Sequence, residues 1–122
     1  MNYLFDTNAI LYELKGSGIS IDLKETDFLY YSFITKIELL SYAKLSKQER
    51  AAIDEFLSLL NVLYINEEIV QESIRIRKKN KLKLPDAIIC ATALTEDAVL
   101  VTADKEILKK SAQIKIKTKY AL

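Results

Sequence analysis

The chain has 122 residues, half of them hydrophobic, and its 18 basic and 17 acidic side chains leave a net charge of +1. This length and apolar content predict one domain over residues 1–122, with an adequate core. The absence of histidine excludes the commonest general base and the usual zinc ligand. The only cysteine, Cys90, cannot form an internal disulfide, so we expect a small buried side chain in a reducing compartment. A cytoplasmic location is expected, because neither a bilayer-spanning apolar run nor a signal-peptide pattern is present.

Short apolar runs alternate with helical patterns along the chain. The predicted strands are NYLF (2–5), FLYYSF (28–33), VLYI (62–65), AVLVT (98–102) and IKIK (114–117). The predicted helices are NAILYEL (8–14, ending at KGSG), TKIELLSYAKL (35–45), KQERAAIDEFLSLL (47–60), 67–79, 85–96 starting at a proline, and KEILKK (105–110). Short apolar strands separated by helices predict a mostly parallel sheet covered on both faces. The expected fold class is therefore α/β, with three layers.

Four acidic residues lie where predicted elements begin or strands end. They are Asp6, Glu38, Asp86 and Asp104. In a parallel sheet the carboxyl ends of the strands share one edge, and ligands bind there, where the strand order reverses. Asp6 ends the first strand, and Thr102 and Asp104 follow the fourth, so we expect them to be close in space.

Each acid also has a purely structural explanation. Asp6 and Asp104 can be helix N-caps, and Asp86 lies in a first helical turn, where negative charge is favoured by ~0.3–1 kcal/mol. Thr35-x-x-Glu38 has the form of a capping box. The apolar residues around Glu38 favour a different role, because a carboxylate in such surroundings needs a partner.

Taken together, the four carboxylates predict a metal site. Acids brought within a few ångströms of each other repel, and their pKa values rise. Mg²⁺ or Mn²⁺ removes this conflict, because hard divalent cations prefer carboxylate oxygens and water. An all-oxygen site also agrees with the lack of histidine, and Asn8 either stabilises its turn or offers a neutral oxygen ligand.

A basic segment precedes the third acid. RIRKKNKLK contains no acid and six cations, Arg75, Arg77, Lys78, Lys79, Lys81 and Lys83, and the tail KIKTK adds Lys115, Lys117 and Lys119. Such a patch on a nearly neutral protein is compatible with a polyanion on one face, or simply with a solvated helix end. Because the segment runs directly into Asp86, it lies beside the predicted site.

Four motifs carry a family resemblance. In order and spacing, LFDTNAIL, ITKIELL, LPDAIICATAL and LVTADKEI resemble the motifs of PIN-domain ribonucleases, and the small size is similar to that of VapC-type toxins of prokaryotic toxin–antitoxin pairs. The resemblance implies an α/β/α sandwich whose acidic pocket binds Mg²⁺ or Mn²⁺ and cleaves RNA. It assigns catalysis and metal binding to Asp6, Glu38, Asp86 and Asp104, with Asn8 and Thr102 as supporting polar residues. Relatives vary at the position of Asp104, for which Glu106 is the alternative.

The resemblance also implies a mechanism and partners. One or two metals held by the quartet would lower the pKa of a water, orient it for in-line attack on a phosphodiester and neutralise the developing charge. The basic segment would then hold the RNA backbone, and Tyr12, Tyr30, Tyr31 and Tyr42 either stack on bases or belong to the core. VapC-like relatives commonly form homodimers and are inhibited by an antitoxin inserted near the acidic pocket. The apolar Ile10, Leu11 and Leu14 belong either to such an interface or to the core.

Three alternatives remain open from the sequence. A housekeeping PIN-type RNA-processing nuclease would differ from a toxin in substrate and genetic neighbourhood. A phosphatase-like or receiver-like α/β domain also places an aspartate after strand one. The phosphatase-like domain requires Asp-x-Asp where the chain has Asp6-Thr7-Asn8. The receiver-like domain requires an acidic pair and a lysine at the end of a later strand, which Lys105 matches only loosely. A non-catalytic scaffold would be favoured by the loss of an acid, and all four are present.

Overall fold

The computed structural model describes residues 1–16 and 22–122. Within them, five strands form one sheet in the order β3-β2-β1-β4-β5, and every neighbouring pair is parallel. The strands are β1 (Asn2–Phe5), β2 (Phe28–Ser32), β3 (Asn61–Leu63), β4 (Val99–Thr102) and β5 (Lys117–Tyr120). The predicted parallel α/β sheet is confirmed.

Helices cover both faces of the sheet. They are α1 (Thr7–Leu14), α2 (Phe33–Leu40), α3 (Lys47–Ser58), α4 (Glu67–Asn80), α5 (Leu84–Thr95) and α6 (Lys105–Ile114). Alternate residues of β1 belong to two cores, because successive side chains of a strand point to opposite faces. Phe5 packs in one core with Ile10 and Leu57 from α1 and α3, whereas Leu4 packs in the other with residues of α4, α5 and α6. The architecture is a three-layer α/β/α sandwich. None of the helices in the described ranges combines the length and apolarity needed to cross a bilayer.

The strand order reverses between β1 and β4. The chain adds β2 and then β3 on one side of β1, and it places β4 and β5 on the other side. The carboxyl ends of β1 and β4 are joined directly, since the Asp6 N–H donates to the Val101 carbonyl at 3.2 Å. In open α/β sheets this crevice is where ligands bind. The fold thus makes the residues that follow β1 and β4 the centre of a candidate site.

The predicted closing strand, IKIK at 114–117, is wrong. Helix α6 continues past its predicted end at Lys110 to Ile114, and β5 occupies Lys117–Tyr120 instead. Ile114 is fully buried, Lys115 caps the helix in the left-handed region at φ 67°, and Ile116 is buried in the connection. One isoleucine therefore ends a helix, and the other packs on the core from a loop. Apolar residues at every second position are also the pattern of a strand, so the sequence pattern alone could not separate the two cases.

Helix α2 also differs from its prediction. It begins at Phe33 and ends at Leu40, not at 35 and 45, and the side chain of Ser32 accepts a hydrogen bond from a first-turn N–H as its N-cap. Thr35 consequently lies inside the helix, so the capping box of Thr35 with Glu38 is wrong. The other element boundaries agree with the predictions within two residues.

A glycine follows the end of α1. The helix ends at Leu14, Lys15 is its C-cap, and Gly16 adopts a φ of 81°. This left-handed region carries no steric penalty for glycine because it lacks a Cβ atom. Part of the predicted KGSG stop, Ser17 and Gly18, lies outside the described residues.

Candidate active site

The four predicted acids line one pocket beside the crevice between β1 and β4. The pocket has a volume of about 100 Å³, and Asp6, Glu38, Asp86 and Asp104 lie in its wall together with Asn8 and Thr7. No lysine or arginine belongs to this wall in the part of the chain that the structure describes. Side chains far apart in sequence thus form one acidic, oxygen-rich surface.

Asp6 is the most deeply held of these acids. It is the N-cap of α1, with Oδ1 accepting from the Ala9 N–H at 2.8 Å, and only 4 % of the residue is exposed. Burial raises the pKa of Asp6 to about 6, and the nearby Asp104 and Asp86 carboxylates add to the rise, although bonds from Thr102 and Ala9 oppose it. The Asp6 side chain therefore both caps helix α1 and forms part of the pocket.

Thr102 links two of the acids. Its buried hydroxyl donates to Asp6 Oδ2 and accepts from the Asp104 backbone N–H at 3.0 Å. Asp104 is in turn the N-cap of α6, with Oδ1 accepting from the Ile107 N–H at 3.0 Å. One threonine therefore connects the Asp6 carboxylate to the backbone of Asp104, almost a hundred residues away in the sequence.

Glu38 is oriented by two threonines that the sequence reasoning missed. The Thr7 hydroxyl donates to Glu38 Oε1 at 2.8 Å and lies 3.0 Å from the Thr35 Oγ1 atom. Because each hydroxyl carries one hydrogen, Thr35 donates in this second bond, and Thr35 is fully buried. The signal was present in the i, i+3 spacing of Thr35 and Glu38, which places both on one helical face.

Asp86 lies in the first turn of α5, below the pocket. Partial burial raises its pKa, the Asp104 and Glu38 carboxylates raise it further, and the Lys83 ammonium group opposes the rise. Helices α1, α5 and α6 all begin beside this pocket, and a helix N-terminus carries a partial positive charge. Three helix dipoles thus partly offset the mutual repulsion of the acids.

The donor set has the chemistry that a hard divalent cation requires. Four carboxylates and the side-chain oxygen of Asn8 face one pocket, and repulsion between the acids helps to raise the pKa of Asp6 and Asp86. The convergence is nevertheless partial, because no three acidic or cysteine side chains of residues 1–16 and 22–122 already form a group that could hold a metal ion. The residues therefore fit a cation in charge and donor type.

Comparison with known families identifies the family to which this fold belongs. The PIN domain family model matches residues 3–113, a range that includes all four acids. The chain belongs to the PIN-domain family. PIN domains are nucleases that generally use divalent metal ions, so the predicted class of hydrolase acting on nucleic acid is supported, and the phosphatase-like and receiver-like alternatives are removed.

Solved structures resemble this PIN domain over nearly its whole length. A toxin–antitoxin complex from Klebsiella pneumoniae is 32 % identical, covers 86 % of this chain and 89 % of its own, and superposes with a TM-score of 0.70. VapBC-1 from nontypeable Haemophilus influenzae is 28 % identical over 98 % and 97 % of the two chains, with a TM-score of 0.78. VapBC2 from Rickettsia felis, bound to a promoter DNA fragment, has the same fold at 22 % identity, 98 % coverage of both chains and a TM-score of 0.81. The predicted resemblance to VapC-type PIN domains is confirmed. A comparison with curated proteins gave no significant match.

Cys90 and Glu106, which the sequence analysis also considered, do not line the acidic pocket of the PIN domain. Cys90 is fully buried, and burial together with the nearby carboxylates raises the pKa of its thiol to about 12, which keeps it protonated. Glu106, the alternative to Asp104, lines a neighbouring cavity, where its carboxylate pairs with Lys110 at 3.4 Å. Asp104 is therefore the acid that faces the pocket.

Proposed function

We propose that this PIN domain is a Mg²⁺- or Mn²⁺-dependent endoribonuclease that hydrolyses RNA phosphodiesters at the acidic pocket, and that it is the toxin of a toxin–antitoxin pair. The observation that carries the proposal is the meeting of four carboxylates, from four separate elements, in one pocket beside the strand-order reversal. The family match supports nuclease chemistry, and the toxin–antitoxin complexes among the solved relatives support the biological setting.

The chain's own residues divide the work of the site. Asp6, Glu38, Asp86 and Asp104 would hold the cation or cations, with Asn8 contributing a neutral oxygen. A bound divalent cation supplies Lewis-acid chemistry, lowering the pKa of a water and neutralising charge on the phosphate. Thr102 and Thr7 keep the Asp6 and Glu38 carboxylates oriented through hydrogen bonds. The N-termini of α1, α5 and α6 favour negative charge here, whether of carboxylates or of a phosphate.

The substrate backbone requires cations outside the acidic pocket. We assign this role to Arg75, Arg77, Lys78, Lys79, Lys81 and Lys83, which lie on α4 and its connection to α5. Basic side chains at phosphates provide sequence-independent affinity that falls with salt. Tyr42, about half exposed and beside the pocket, is placed to stack on a base.

The decisive experiment measures RNA cleavage by the wild type and by Asp6→Asn, with Mg²⁺ or Mn²⁺ and with a chelator. We expect metal-dependent cleavage that the substitution abolishes, because the neutral amide weakens cation binding. Asp54→Asn is the matched control, since Asp54 is an exposed residue of α3 that pairs only loosely with Arg50 at 3.7 Å. Circular dichroism establishes that both variants fold. Equal cleavage by wild type and Asp6→Asn, or undiminished cleavage in chelator, would reject the proposal.

An antitoxin partner is supported by an apolar groove next to the acidic pocket. The groove has a volume of about 330 Å³, and its wall includes Leu11, Leu14 and Ile53. Tyr42 lines both the groove and the acidic pocket. An antitoxin segment with apolar anchors and one basic side chain would fill the groove and neutralise the acids. Ile10, by contrast, is fully buried in the core.

The antitoxin proposal is tested with the product of a small gene adjacent to this one. We expect that product to copurify with the protein and to inhibit its cleavage, and Leu14→Asp to weaken inhibition while leaving cleavage intact. A housekeeping nuclease would lack such a neighbour, and its expression alone would not arrest growth. We also propose a homodimer in the cytoplasm, and light scattering on the purified protein measures the oligomeric state.

A further inference from the structure

The structure divides the six cations of the basic segment into groups. Arg75 forms an ion pair with Glu72 at 2.6 Å, and the Arg77 Nε atom donates to the Leu82 carbonyl at 3.4 Å. Of the six, only Lys81 and Lys83 line a cavity of about 160 Å³ between α4, α5 and α6. A continuous run of charge in the sequence therefore becomes two cations at one defined place.

This cavity shares a wall with the acidic pocket. Asp86 and Asp104 line both spaces. On the far wall, Lys110 is already engaged, since its Nζ atom pairs with Glu106 at 3.4 Å and donates to the Asn80 carbonyl at 2.8 Å. Lys81 and Lys83 make no ion pair with any residue in the described ranges. The Lys83 ammonium group lies near enough to Asp86 to oppose the rise in the pKa of that carboxyl, but neither lysine is held in a direct ion pair, so both can contact an anion beside the acids.

The backbone that carries the two lysines is fixed. Lys81 caps α4 in the left-handed region at φ 52°, and Lys83 is the N-cap residue of α5. A lysine holds that conformation only where its surroundings impose it. Here Leu82 is buried between them, and its carbonyl accepts from Arg77. The lysine side chains are thus exposed to solvent, while their attachment points are set relative to Asp86.

We propose that Lys81 and Lys83 form a subsite for an RNA phosphate that neighbours the cleaved one. The proposal rests on the proposed function, because it places the cleaved phosphate in the acidic pocket and its neighbour in the adjoining cavity. One strand crossing the shared wall of Asp86 and Asp104 would place successive phosphates in the two spaces. The lysines then also offset the repulsion between the strand and the carboxylates.

The first test measures binding of a fluorescent single-stranded RNA in chelator over a range of salt concentrations. We expect the double variant Lys81→Gln/Lys83→Gln to lower the slope of log affinity against log salt by about 0.7, the value for one lost phosphate contact on a single strand, and each single variant to lower it by part of that amount. The loss of affinity at low salt should be roughly three- to fivefold, typical of an exposed ion pair. Lys47→Gln, an exposed lysine at the start of α3, is the control and should keep the wild-type slope. An unchanged slope in the double variant would overturn the subsite.

The second test locates the phosphate. A series of RNA substrates carries one neutral methylphosphonate at successive positions around the cleaved bond, each with either a 5′-hydroxyl or a 5′-phosphate end. We expect one internal position to slow wild-type cleavage, and the same position to have no effect in the double variant Lys81→Gln/Lys83→Gln, where the contact is already lost. Equal penalties in both proteins, or a penalty that follows the 5′-phosphate, would overturn the assignment. If the wild type cleaves no RNA, the proposed function fails, and the binding test in chelator still decides the subsite.

Discussion

The acidic pocket and the lysine cavity lie side by side but are built in opposite ways. In the pocket, Asp6 is almost fully buried, and both of its carboxylate oxygens accept hydrogen bonds, one of them from Thr102. The neighbouring Glu38 carboxylate accepts a hydrogen bond from Thr7. In the cavity, the ammonium groups of Lys81 and Lys83 are exposed, on a short connection between helices. The two regions nevertheless share Asp86 and Asp104.

Under the proposed function, this difference separates chemistry from substrate holding within one site. Groups that must have fixed geometry are attached to strand ends and helix N-termini, where the backbone itself supplies hydrogen bonds. Groups that only supply charge work through long-range attraction, and so they can keep the freedom of a flexible side chain. Changes in the pocket should therefore alter reaction rates and folding strongly, whereas changes around the cavity should alter affinity weakly.

Apart from the loss of cleavage already expected for Asp6→Asn, the largest effect is expected for Asp86→Asn, which removes charge from the wall common to both spaces. Because changes around a metal site typically cost ~10–100-fold even beyond the ligands, kcat/KM for RNA cleavage should fall by about a hundredfold or more. Asp97→Asn is the control, since Asp97 is largely exposed and pairs with Lys117 at 3.3 Å. Single-turnover kinetics measure both, and a loss below tenfold would remove Asp86 from the catalytic set.

The next effect is on folding and concerns Asp6→Asn without metal. Since burial raises the pKa of Asp6 from 3.8 to about 6, the folded state binds the proton more tightly than the unfolded state. The carboxyl's favourable contribution is complete below about pH 4 and is lost as the pH rises through 6. Because asparagine does not titrate, the wild type should lose about 2–3 kcal/mol more stability than the variant between pH 4 and pH 8, the value of the shift. Urea unfolding in chelator from pH 4 to 8 measures this, and the same pH dependence in both proteins would contradict it.

A smaller effect is expected for Thr7→Val, which removes the hydroxyl that donates to Glu38 while keeping the shape of the side chain. The Glu38 carboxylate then loses its orientation, so kcat should fall by about tenfold with little change in KM. Thr7→Ser restores the hydroxyl and should recover most of the rate, which a purely structural role would not predict. A variant rate equal to wild type would leave Glu38 positioned by other contacts.

The smallest effect is expected for Arg75→Gln. Arg75 is already paired with Glu72, so its charge is largely offset within α4. RNA affinity should change by less than about twofold, below the effect of either cavity lysine. Fluorescence anisotropy measures the affinity. A loss equal to that of Lys83→Gln would mean that RNA binding depends on the number of basic residues in the segment and not on where each of them lies.

Local patterns in the sequence predicted most of the elements but failed where a pattern had two physical meanings. Ile114 and Ile116 alternate like strand residues, yet Ile114 ends a helix and Ile116 packs on the core from a loop. Any buried position favours an apolar residue, whether it lies in a strand, a helix or a loop. Thr35 and Glu38 have capping-box spacing, yet Ser32 takes the cap, three residues earlier. Both Ser32 and Thr35 carry a hydroxyl that could cap a helix, and the tertiary structure decides that the helix begins after Ser32.

The four acids could be singled out from the sequence, whereas their hydrogen bonds could not. Asp6 and Asp104 follow strands and Asp86 begins a helix, positions that a parallel sheet brings to one edge, but Glu38 lies in the second half of α2 and was singled out by its apolar neighbours and by the family motif. The bonds of Thr7 to Glu38 and of Thr102 to Asp6 connect residues 31 and 96 positions apart, and no local rule specifies such pairs.

The sequence by itself determined the layered α/β fold, since apolar periodicity and chain order dictate which segments form strands and which faces are buried. It also determined that any catalysis must use carboxylates, hydroxyls, lysines or a hard cation, because the chain has no histidine. The tertiary structure alone decided which two of six neighbouring cations lie beside the acids and how each carboxylate is oriented. Those outcomes depend on distances of a few ångströms between elements that are remote in the chain, and only the packed sheet and helices fix them.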